Sequence, residues 1–151
     1  MMQYIKEIIL LIAVINVIVN DTIYPSHPTL ASTIFIISLI VSGILVLSYT
    51  FPIMCVRGRS MLPTFQDGSI LITTRLFNRY KLKEGQVYVY SRLDEDKKKY
   101  SVVKRLTKKH AFISGLCYFE GDNPTESYDS RQYGYVNAED IKAKVLWQIS
   151  K

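Results

Sequence analysis

The chain has 151 residues, a formal net charge of +6 at neutral pH and 48% hydrophobic residues. That length holds one small domain. The charge distribution excludes a chain that is soluble throughout, because no Asp, Glu, Lys or Arg occurs between Asp21 and Arg57.

The first apolar run covers Ile8 to Val19, interrupted by Asn16, and extends back to Tyr4 if Lys6 and Glu7 lie at a membrane interface. No small-x-small cleavage pattern follows Val19, so a removable signal is a poor reading. The second run, Thr33 to Phe51, is long enough to cross a bilayer, which needs about 20 mostly apolar residues. The first run is marginal on length and is either a span or an interfacial helix, so one or two transmembrane helices are expected; with two favoured, the expected anchor is residues 1–53, with spans at about 4–20 and 33–51. They are joined by a loop from Asn20 to Ser32, which contains the helix breakers Pro25 and Pro28. Two spans put both termini on one side. The loop has no Lys or Arg and the N-terminus only Lys6, so charge bias does not orient them.

After Pro52 the helical pattern gives way to short runs rich in Val, Ile, Tyr and Thr. Strands are predicted at Ser69–Thr74, Gln86–Tyr90, Tyr100–Leu106, Leu116–Glu120, Gly134–Val136 and Lys144–Ile149. Each is bounded by Gly, Asp, Asn or charge clusters. Asp94-Glu95-Asp96 followed by Lys97-Lys98-Lys99 reads as a self-compensating hairpin tip. The expected fold is a membrane-anchored, mainly β protein. Its β domain, residues 54–151, is a coiled sheet or partial β-barrel.

Residues 52–151 carry 18 Lys and Arg against 11 Asp and Glu, a net of +7. A basic domain tethered to a bilayer is attracted to anionic headgroups. The basic residues are scattered and accompany no nucleic-acid motif, so no nucleic-acid partner is expected. Cys55 and Cys117 match no metal or redox spacing and read as unpaired small apolar residues.

Three segments carry candidate chemistry. Gly58-Arg59-Ser60-Met61-Leu62-Pro63-Thr64 places a serine between a glycine, which lets a backbone approach its substrate, and a stiffening proline. An ordinary turn serine is the alternative. Lys104 shares a strand face with Val102 and Leu106. Burial there would lower its pKa and suit it to act as a base; a lysine snorkelling from a sheet edge is the alternative. In Gly121 to Val136, Gly-Asp-Asn-Pro is turn chemistry, and Asp129 and Arg131 form either a braced or an incidental ion pair. A serine needs a neighbouring base, and lysine is a known one. His110 beside two lysines reads as surface, and Cys117 lacks a cationic activator.

In this order, after a membrane span, the three segments resemble the boxes of the bacterial type I signal peptidases, which are Ser–Lys membrane proteases. The resemblance covers roughly residues 54–147. It implies a serine endopeptidase that removes signal peptides from exported preproteins at the cytoplasmic membrane, its catalytic domain facing the extracytoplasmic side. It implies Ser60 as nucleophile, Lys104 as general base, Ser127 orienting the lysine amine, and Asp129 and Arg131 bracing that wall. It also implies the Ser60 N–H as an oxyanion donor. Gly58 stands where many members have a serine hydroxyl as second donor. Met61, Leu71 and Val102 are expected to line the groove. Neither metal nor organic cofactor is implied. The stretch from Lys104 to Gly121 is short, and the usual Gly-x-Pro-Gly-Asp turn after the lysine is missing, so this is a minimal form. The alternatives are a dedicated maturation peptidase of the same clan with one substrate, and a non-catalytic peptide-binding accessory subunit.

Overall fold

The structure is a computed structural model that describes residues 2–22, 25, 28–93, 97–111 and 113–150. It divides into two units, Met1–Tyr49 and Thr50–Lys151. The acidic half of the predicted hairpin tip, Asp94 to Asp96, lies outside the described residues, as do Tyr24, Ser26 and His27 of the predicted loop.

The first unit is two helices, α1 (Met2–Thr22) and α2 (Pro28–Thr50). α2 begins ahead of the predicted span. Pro28, read as a breaker, instead opens the helix, a position where its missing N–H costs nothing. Among the described residues one segment, Thr29–Thr50, is long and apolar enough to cross a membrane, with a mean hydropathy of 2.6. It buries almost none of that surface within the protein, unlike the core helix of a soluble domain.

The second unit is one antiparallel sheet. Its strands are β1 (Ile53–Cys55), β2 (Ile70–Thr74), β3 (Val87–Leu93), β4 (Lys99–Lys109), β5 (Leu116–Glu120), β6 (Val136–Asn137) and β7 (Ile141–Ser150), in the spatial order β1-β2-β7-β3-β4-β5-β6. The mainly β fold with an apolar N-terminal helix is therefore as expected. Two differences are local. Ile53–Cys55, overlapping the end of the expected anchor, pairs with β2 as an edge strand. The run before β6 holds a short helix, α3 (Ser130–Tyr133). Asp129 caps it, with a return bond from Gln132, the reciprocal arrangement that satisfies two orphan donors at once.

Alternation sorts the strands onto two apolar clusters. One contains Tyr88, Tyr90, Leu106, Cys117, Phe119 and Ile141, with Val102 packed against it. The other contains Val56, Met61, Phe65, Leu71 and Val87, with Val103 and Val145. β4 lies inside the sheet between β3 and β5, and its residue Lys104 is paired with Tyr88.

Candidate active site

The segment between β1 and β2 folds back on itself. Val56 N–H donates to Ser69 O (2.8 Å) and Gly68 N–H to Val56 O (2.9 Å). Val56, Met61 and Phe65 are buried and root the turn in the second cluster. Gly58 has φ of 86°, a conformation that a β-carbon disfavours. Its N–H is taken by Asp67 Oδ1 at 2.7 Å, so it is not available as an oxyanion donor.

Ser60 is half-buried at the crest of this turn. Its carbonyl accepts from Asn123 N–H (3.0 Å), and Asn123 Nδ2 donates to Arg59 O (3.1 Å). The Ser60 N–H has no acceptor among the described residues.

Lys104 comes to Ser60 from β4. Its amine nitrogen is hydrogen-bonded to Ser60 Oγ across 44 positions of sequence. The lysine is 3% exposed. Burial pulls its pKa down to about 8, against the pull of Asp129 and Asp122 in the other direction; Arg131 adds to the lowering. Desolvation disfavours the charged form, and here it outweighs the nearby carboxylates. At pH 7 roughly a tenth of such a group is neutral.

Asp129 is fully buried. It accepts from Arg131 Nε (2.9 Å) and Nη2, from Gly121 N–H (2.8 Å) and from Ser127 Oγ (2.5 Å). Burial alone would raise its pKa. These donors, Arg131 foremost, outweigh burial and hold the carboxyl well below the usual range, because each favours the charged form. The Ser127 hydroxyl thus donates to Asp129, where the resemblance implied the lysine amine. Its oxygen keeps lone pairs for a further donor.

A second Asp–Arg pair stands on the other flank. Arg105, next to the lysine, grips Asp122 with two bonds, Nε to Oδ1 at 2.8 Å and Nη2 to Oδ2 at 2.6 Å. Such bidentate, charge-assisted pairs fix geometry as well as adding energy. Thr64 Oγ1 donates to the same carboxylate at 2.5 Å, tying the serine turn to β4. Gly121 sits between the walls: a β-carbon there would lie 2.2 Å from Ser127 Oγ and 2.5 Å from Ser60 O.

Beside the dyad is a groove of about 560 Å³, whose lining includes Met54, Cys55, Met61, Tyr100, Val102 and Tyr128. Met61 and Val102 line it. Leu71 does not; it is wholly buried beneath, in the second cluster. His110 stands apart from the dyad, its ring against Tyr135 and its Nδ1 accepting from Ile113 N–H (2.9 Å). Cys117 is buried in β5, which raises its pKa. Among the described residues no group of three or more His, Cys, Asp or Glu is placed to hold a metal ion.

Thr64, Arg105, Gly121, Asp122 and Asn123 lie within the sequence boxes, yet no local feature of the sequence assigns them a task. Their contiguity with Ser60, Lys104 and Ser127 was the available signal.

No protein-family model matches the chain. It is similar to the mitochondrial inner membrane protease subunit 1 of Schizosaccharomyces pombe, 29% identical over 119 residues, covering 67% of this chain and 74% of that protein. The match supports, at a coarse level, a relationship to the signal-peptidase-related family, and the apolar helix supports membrane association.

Proposed function

We propose that this chain is a membrane-anchored serine endopeptidase of the signal peptidase type, working through Ser60 and Lys104. The observation that carries this reading is the buried Lys104 amine in hydrogen-bonding contact with the Ser60 hydroxyl. A lysine stripped of solvent gives up its proton near neutral pH and becomes a base.

Neutral Lys104 Nζ takes the proton of Ser60 Oγ as that oxygen attacks the scissile carbonyl carbon. The oxyanion that forms is met by the unpaired Ser60 N–H. As the C–N bond breaks, the Lys104 ammonium returns the proton to the departing amine. Water then attacks the acyl-enzyme ester, giving its proton to Lys104, and Ser60 regains a proton as the acid leaves. Asp129, kept anionic by Arg131, steadies the ammonium in both half-reactions. Its full charge is offset by Arg131, so the lysine is not driven back to its ordinary pKa.

The substrates in this reading are preproteins bearing N-terminal signal peptides, laid in the groove between β1 and the Tyr100–Val102 edge of β4. Both α1 and α2 span the bilayer, and the sheet unit lies on the extracytoplasmic face, as a minimal form of the bacterial enzyme. The test is cleavage of a preprotein in liposomes. Ser60→Ala and Lys104→Ala should each lose roughly 10⁴-fold or more in kcat. Full activity in either variant contradicts the mechanism.

A further inference from the structure

Asn16 is the one polar residue between Ile8 and Val19. Its side-chain amide is 2.7 Å from Ser38 Oγ on α2, and that same oxygen is 2.7 Å from Phe35 O. A hydroxyl has a single proton. The Ser38 hydroxyl donates it to Asn16 Oδ1 or to Phe35 O, one at a time. In either case Asn16 uses at most one of the several bonds an amide can make, and no other partner for it occurs among the described residues.

Its depth makes this matter. Ser38 lies near the middle of the Thr29–Thr50 span. Asn16, bonded to it, is therefore close to mid-bilayer whichever way the hairpin points. Hydrocarbon offers no water to satisfy the remaining amide groups. The groove of about 270 Å³ between the helices offers none either, being lined by Ile12, Ile15, Ile34, Ile37 and Val41 around Ser38.

We infer that two copies of this chain associate in the membrane through α1, their Asn16 side chains pairing amide to amide. A carboxamide is its own hydrogen-bonding complement: each supplies one N–H and one C=O across a two-fold axis, an isologous contact. Asn16 is only half-buried by its own hairpin and so can be reached by a neighbour. This inference rests on the reading that α1 spans the bilayer.

The test uses full-length protein labelled at its N-terminus with donor or acceptor dye and reconstituted together in phosphatidylcholine vesicles. Energy transfer should appear and fall on lipid dilution. Asn16→Leu should weaken association roughly three- to twentyfold, the range of interhelical hydrogen bonds in membranes, while Asn16→Gln keeps it. Unchanged transfer in Asn16→Leu, or none in wild type, overturns the pairing. Thiol labelling of Gln3→Cys from each side of the vesicle, in a Cys55→Ser background, separates the two failures. Modification on the side opposite the sheet unit shows that α1 does not span, and overturns both. Modification on the same side as the sheet unit, with Asn16→Leu still associating as wild type does, overturns the pairing alone.

Discussion

Ser60 and Lys104 meet, but they are held in opposite ways. Lys104 is an interior strand residue, fixed by the ladders of β4 to β3 and β5. Ser60 stands on a turn with no strand neighbour, and three separate staples hold it: Asn123 to its own carbonyl, Asn123 to Arg59, and Asp122 to Thr64. The base is thus placed by secondary structure and the nucleophile by side chains. Changes near the lysine should alter chemistry at constant geometry, and changes near the serine should alter geometry first.

The largest effect tests the first half of that contrast. Lys104→Met should abolish cleavage yet stabilise the sheet unit. A folded pKa of about 8, against about 10.5 unfolded, penalises folding of the protonated lysine. The penalty is complete below about pH 8, fades between about pH 8 and 10.5, and amounts to about 3 kcal/mol. The melting temperature of Lys104→Met should therefore exceed that of wild type at pH 7, and the gap should narrow by pH 10. A lower melting temperature at pH 7 would mean that the lysine is not strained by burial. Lys104→Arg should be as inactive as Lys104→Met, since a guanidinium stays protonated.

The second half is tested by Gly121→Ala, whose methyl group would collide with Ser127 Oγ and Ser60 O. Overpacking of that kind costs about 1–3 kcal/mol, and a displacement of about 1 Å costs on the order of 10²-fold in rate. Cleavage assays and thermal melts should show both losses together. Asp122→Asn is milder. It keeps the shape but weakens the grip on Arg105 and Thr64, and kcat should fall roughly tenfold with little change in KM. Smallest is Gly58→Ala. Open space surrounds the new methyl. Only the positive φ opposes it, which costs about 1 kcal/mol of stability with activity largely kept.

The same contrast explains what the sequence disclosed. Lys104 was legible because Val102 and Leu106 alternate with it on one strand face. Ser60 was legible only through its resemblance to a known box; as a turn residue it carries no periodicity. The short helix after Asp129 was missed although Asp129 and Gln132 have the spacing of a capping box. β1 was missed because its three apolar residues follow directly on an apolar helix. The hydroxyl of Ser127 was assigned to the lysine because nothing local reveals that Asp129, two residues on, takes it. Gly121 was beyond local reasoning, since its need for a missing side chain comes from the folded positions of Ser127 Oγ and of Ser60 O, the latter far back in the chain.

Catalysis in this reading depends on Lys104 being a base because burial beside Ser60 lowers its affinity for a proton. Direct titration of the Lys104 side chain by NMR, in full-length Ser60→Ala protein carrying isotope-labelled lysine, measures that affinity. One lysine should titrate near pH 8, and its signal should be absent from Lys104→Met. If Lys104 instead titrates near 10.5, burial has not made it a base, and the dyad is a contact without a mechanism.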